Sequence, residues 1–137
     1  MTDTSSPPRA VRLGGLLMWY AVLGGAVAWS THLILAWGVT ELACAGGHND
    51  VAGVPLRTFV AGAVVLPGLA TAAALAVAWP AWRRAVAATR AATDESDRTR
   101  AQRAAMMALI GLGADALFLA IIIAGGAALL VFPSCPA

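Results

Sequence analysis

The 137-residue chain has no lysine, a single tyrosine, two histidines and two cysteines, and only 12% of its residues are charged. Each shortage excludes something. So few charges beside a hydrophobic content of 60% exclude an ordinary soluble domain, in which about a quarter of residues are charged. Two cysteines allow one disulfide at most and cannot complete a four-ligand structural zinc site without other donors. No nucleophile with a neighbouring base, phosphate-binding loop, zinc-protease motif or paired carboxylates can be found, so hydrolase and NTPase readings have no residues to stand on. A non-enzymatic role is expected. Nucleic-acid motifs are also missing, and the arginines from Arg83 to Arg103 are interleaved with Asp94, Glu95 and Asp97 instead of forming a basic stripe. No nucleic-acid partner is expected.

Present instead are three long apolar runs, at about residues 13–40, 58–82 and 104–132, each longer than the ~20 residues a helix needs to cross the hydrocarbon core. The expected fold is all-α: one integral-membrane three-helix bundle in a single transmembrane domain, with lipid and other membrane helices, or further copies of itself, as partners. All nine basic residues are arginines, and eight of them flank one side of the runs: Arg9, Arg12, Arg83, Arg84, Arg90, Arg98, Arg100 and Arg103. Only Arg57 falls in the other loop. Short arginine-rich loops stay cytoplasmic, which puts the N-terminus inside and the C-terminus outside a bacterial-type plasma (inner) membrane. Ala26-Val27-Ala28 looks like a signal cleavage site, but the apolar stretch continues through Leu33, Ile34, Leu35 and Trp37, too far for a signal core.

Within this frame, Gly25, Ala28 and His32 share one face of the first helix, and that face can approach a neighbour closely. Pro67 removes a backbone donor from the second helix and predicts a bend, while Pro80 predicts that the helix loosens or stops near its end. Small-residue stripes are expected to pack helices together: Gly68, Ala72 and Ala76 on the second, and Gly113, Ala116, Ala120, Ala124 and Ala127 on the third. Thr99-Arg100-Ala101-Gln102 matches a capping box ahead of the third helix. The second and third helices are expected to form a hairpin reaching into the cytoplasm.

Five residues could carry chemistry. Cys44 and Cys135 both fall at the outer end, where a disulfide between them is the expected reading. It would bring the first and third helices together there, because bridged α-carbons lie within about 7 Å. The alternative groups Cys44, His48 and Cys135 as a copper or zinc site of thiolates and imidazole. His32, inside the hydrocarbon, is a candidate for haem ligation or proton handling, against a neutral ring bonded to a backbone carbonyl. Asp115 is the other intramembrane ionisable residue. It lies about 25 Å below its helix's outer end and His32 about 12 Å below its own, which argues against a direct pair. A held proton, a bond to a partner, or contact with water near the arginine-side third are its open readings. Trp19, Tyr20, Trp37, Trp79 and Trp82 sit toward span ends as interfacial anchors, and Trp29 lies deeper, one turn from His32.

The segment Gly24-Gly25-x3-Trp29-x2-His32, with Glu41-x2-Cys44 and Pro133-x-Cys135, resembles small membrane proteins encoded near haem-copper (cytochrome c) oxidase genes. The resemblance covers the first helix and the extreme C-terminus. It implies an accessory or assembly role in a respiratory complex and draws attention to Trp29, His32, Cys44 and Cys135. The alternatives are a haem- or metal-binding membrane protein and a small oligomeric transporter or channel with His32 and Asp115 along its path.

Overall fold

The chain is represented by a computed structural model that describes residues 9–131. Helix α1 (Arg9–Leu33) runs through one π-helical turn (Ile34–Gly38) into α2 (Val39–Ala45). A two-residue-per-strand hairpin, β1 (Asp50–Val51) with β2 (Val54–Pro55), leads into α3 (Leu56–Ala91), and α4 (Glu95–Val131) follows after three residues. Three helical stretches, of 33, 36 and 34 residues with mean hydropathies of 1.5, 2.1 and 2.4, are long and apolar enough to cross a membrane. Alanine and leucine, the best helix formers, fill them with few interruptions.

The direction of each helix follows from the contacts. Gly25 of α1 meets Asp115 of α4, and His32 meets Gly125, so α1 and α4 run parallel. Antiparallel α3 lies against both, with Gly68 facing Ile122 and Val64 facing Gly126. The interior is mostly small: Ala21, Ala63, Ala74, Ala78 and Ala108 are buried, and Ile122, Leu56 and Val60 are the largest buried apolar side chains among the described residues.

The turn between α2 and α3 has two devices. Gly47, at φ +69°, lets the His48 amide donate to the Ala43 carbonyl at 2.9 Å and the Gly47 amide to Cys44 at 3.1 Å, a Schellman ending for α2. Ala52 and Gly53, both at positive φ, then form the tight hairpin turn, where the second position suits glycine. Ala43, Leu56 and Val60 pack beneath as a small apolar cluster.

Several local expectations change. Thr99 does not cap α4: the helix begins at Glu95, and the Thr99 hydroxyl donates within it to the Glu95 carbonyl at 2.9 Å. The start is organised by Asp94 instead, whose carboxylate accepts from the Ser96 hydroxyl at 2.5 Å and whose carbonyl accepts from the Arg98 amide at 3.1 Å. The Ser96 bond, followed by the backbone amides of Glu95, Ser96 and Asp97, holds the Asp94 carboxyl below its ordinary value of 3.8. Arg98 closes the other side of the bend by donating to the Ala92 carbonyl at 3.2 Å, joining the end of α3 to the start of α4. Pro80 does not stop α3, which continues to Ala91. The first helical stretch extends past residue 40 to Ala45, so Cys44 belongs to a last helical turn and not to a loop.

The small-residue stripes also move. Gly113, Ala116, Ala120, Ala124 and Ala127 are all exposed, as are Ala72 and Ala76. The face of α4 that packs carries Ala108, Gly111, Asp115 and Ile122, and that of α3 carries Ala63, Pro67, Thr71, Ala74 and Ala78. Stripes at spacings of three and four exist on more than one side of helices this rich in alanine, and the face with the two buried bulky or polar groups, Asp115 and Ile122, turns inward.

Candidate functional site

Polar groups inside the bundle converge on α1. Its amphipathic face is formed by Ala21, Gly24, Gly25, Ala28 and His32, all buried, and three contacts between helices leave from or beside that face. The Tyr20 hydroxyl donates to the Ala70 carbonyl of α3 at 2.7 Å. One turn on, the Gly25 amide donates to Asp115 Oδ1 of α4 at 3.0 Å. Two turns further, His32 Nδ1 lies 3.0 Å from the Ala63 carbonyl of α3. A carbonyl only accepts, so Nδ1 carries the hydrogen in this bond.

The Ala63 contact has a local cause. Residue 67 is the one whose amide would bond Ala63 in a regular helix, and it is proline, which has no N–H. His32 supplies the missing donor. An orphaned carbonyl inside a bundle costs about 1–3 kcal/mol, so the histidine is placed where α3 most needs a donor from outside. The other ring nitrogen packs on α4: a methyl group added to Gly125 would lie 3.1 Å from His32 Nε2. Haem ligation through Nε2 would require α4 to move away from this position.

Asp115 is fully buried, and its approach to α1 depends on glycine on both helices. A Cβ at Gly25 would overlap Asp115 Oδ1, and one at Gly111, a turn before Asp115, would overlap the Ala21 carbonyl. Only glycine admits this crossing. Oδ1 has its donor in Gly25, while Oδ2 is buried and has no hydrogen-bond partner among the described residues.

His32 and Asp115 are not brought together. Asp115 meets α1 at Gly25, seven residues or about 10 Å of helix rise from His32. Ser30 and Thr31, beside His32, return their hydroxyls to the carbonyls of Ala26 and Val27, both at 2.9 Å, and add no polar group to either site. Trp29 stacks on Phe118 of α4 with ring centroids 5.3 Å apart. Tyr20 is not a free interfacial anchor, since its hydroxyl is committed to Ala70.

At the other end of α1, Cys44 is half-buried in the last turn of α2 and His48 is exposed in the turn that follows. Cys135 lies outside the described residues. Among the described residues, no group of three or more His, Cys, Asp or Glu side chains is arranged to hold a metal ion.

Two of these contacts had no signal of their own in the sequence, because their partners are backbone groups: Ala70 for Tyr20 and Gly25 for Asp115. The third had one. A proline inside a long apolar helix frees the carbonyl four residues earlier, and a buried histidine on a neighbouring helix is a donor for it. Comparison with protein-family models, with curated proteins and with solved structures found no match.

Proposed function

We propose that this protein is a non-enzymatic accessory or assembly subunit of a membrane complex. In this reading the three long helices cross a bacterial-type plasma membrane, with the arginine-rich side cytoplasmic and the outer turn around Cys44 on the far side. The observation that carries it is the outward position of Gly113, Ala116, Ala120, Ala124 and Ala127 on α4. A ridge of small residues in lipid lets another helix come close and gain van der Waals contact, and this ridge is not used within the bundle. The polar interior supports the same reading, because Tyr20, His32 and Oδ1 of Asp115 are spent on holding helices together. The resemblance to proteins encoded near haem-copper oxidase genes makes a respiratory oxidase the first complex to test.

A Cys44 to Cys135 disulfide belongs to this proposal. It is supported by the parallel course of α1 and α4, in which Gly25 meets Asp115 and His32 meets Gly125, so that α2 and the C-terminal end of α4 lie at the same end of the bundle. Thiol labelling of intact cells with an impermeant reagent, with and without reductant, tests pairing and orientation together.

The test of the main reading is purification from native membranes in mild detergent. The expected result is a co-purifying membrane protein that is lost on Gly113→Trp or Ala120→Trp while the chain itself stays folded. A lone monomer in wild type would contradict it. One observation favours the alternative of a small oligomeric transporter, namely the buried Oδ2 of Asp115 without a partner. Flux through reconstituted vesicles that is unchanged by Asp115→Asn and His32→Ala would remove that alternative.

A further inference from the structure

An open apolar groove of about 790 Å³ runs between α1 and α3 on a face away from the outward ridge of α4. Trp19, Leu23 and Val27 line one side of it and Phe59, Leu66 and Pro67 the other. From Trp19 to Leu35, both lining residues, it extends about 24 Å along α1, most of the depth of a bilayer's hydrocarbon core. Its surface is almost wholly apolar, which suits a hydrocarbon chain along this length.

Arginines lie beyond one end of the groove. Arg84 follows Leu66 by eighteen residues, five complete turns of α3, and therefore lies on the groove's side of the helix. It is exposed. The antiparallel register fixed by Gly24 against Ala74, and by His32 against Ala63, puts Arg84 level with residues 11–14 of α1, the position of Arg12. Two arginine positions from two helices thus stand at one level, about two turns below Trp19. Among the described residues the carboxylates lie elsewhere: Asp94, Glu95 and Asp97 ten or more residues beyond Arg84 at the tip of the α3–α4 hairpin, Glu41 and Asp50 near the opposite end of the bundle, and Asp115 against the backbone of α1. The single ion pair among the described residues is Arg100 with Asp97, at 3.7 Å.

We propose that the groove is a binding site for one anionic glycerophospholipid, with its acyl chain along Leu23, Val27 and Leu66 and its phosphate at the level of Arg84 and Arg12. The positive charge beyond this end of the groove complements the headgroup, and the interval of about 10 Å along α1 between Trp19 and the level of Arg84 is shared by the glycerol layer and the reach of an arginine side chain. The site is separate from the α4 ridge, so it does not depend on the accessory-subunit reading.

Gly62 provides the test, because it lines the groove and a side chain added there would meet nothing within 4 Å. Full-length protein is equilibrated with vesicles of four parts phosphatidylcholine to one part phosphatidylglycerol and extracted in mild detergent. The retained lipid is then counted by mass spectrometry. The expected result is about one retained lipid per chain, enriched in phosphatidylglycerol over the vesicle ratio. Arg84→Gln and Arg12→Gln should each lower that enrichment about fivefold, the effect of one arginine at an anionic surface. Gly62→Trp should abolish retention of both lipids, and Gly113→Trp should change nothing. Retention at the vesicle ratio, enrichment unchanged by Arg84→Gln, or a dimer that Gly62→Trp dissolves without any lipid being lost would overturn the proposal. If Gly62→Trp fails to fold, the two arginine variants decide.

Discussion

The α3–α4 hairpin and the seam that joins α1 to it are built on different physics. The hairpin has a connection of three residues and buries small and apolar side chains, with Ile122 against Gly68 and Val64 against Gly126. Such contacts gain mainly dispersion energy in lipid, and many of them tolerate small adjustments. By contrast, the α1 seam depends on directional bonds at three points and on two glycines that admit the closest crossing. The hairpin is therefore expected to degrade gradually under substitution, whereas α1 should detach when one of a few atoms is changed.

The largest expected effect breaks that contrast at its tightest point. Gly111→Leu drives a side chain into the backbone of Ala21, which cannot rotate aside, and should cost about 3 kcal/mol or more. Gly68→Ala in the hairpin meets only Ile122, at 3.7 Å, and should cost under about 1 kcal/mol. Reversible unfolding in mixed micelles measures both. Equal losses would show that the two interfaces do not differ in the way described.

Next in size is His32→Ala, which leaves the Ala63 carbonyl without a donor and should cost about 1–3 kcal/mol. Asp115→Asn keeps an acceptor for the Gly25 amide, and its cost should stay within about 1 kcal/mol, near the usual value of hydrogen bonds between membrane helices. Asp115→Leu removes the acceptor and should cost more than Asp115→Asn in the same assay.

How much of this was legible in the sequence depended on how rare the signalling residues are. Gly25, Ala28 and His32 identified the packing face of α1 correctly, because histidine and paired glycine stand out in an apolar helix. The faces of α3 and α4 could not be read the same way, since alanines at spacings of three and four occur on several sides of each. Gly111 and Asp115 marked the correct face of α4, but the longer alanine stripe masked them. At the hairpin tip, Thr99 had the right spacing for a cap, yet Asp94 lies at the bend itself and reaches the first amides.

The smallest expected effect is at that tip. The folded state holds the Asp94 carboxyl below 3.8, so the cap's contribution is present above that value and disappears as the pH falls through the lower folded value. Amide exchange of Glu95, Ser96 and Asp97 should accelerate in acid relative to the middle of α4, after correction for intrinsic rates. No relative change would mean that the carboxylate does not hold the helix start.

The most direct test of α1 as a bonded seam is a double-mutant cycle between His32 and Pro67. Pro67→Ala returns a backbone N–H to the Ala63 carbonyl, so His32→Ala should cost about 1–3 kcal/mol with proline at 67 and much less with alanine there. Equal costs in the two backgrounds would contradict the account, because His32 would then not be serving the carbonyl that the proline leaves open.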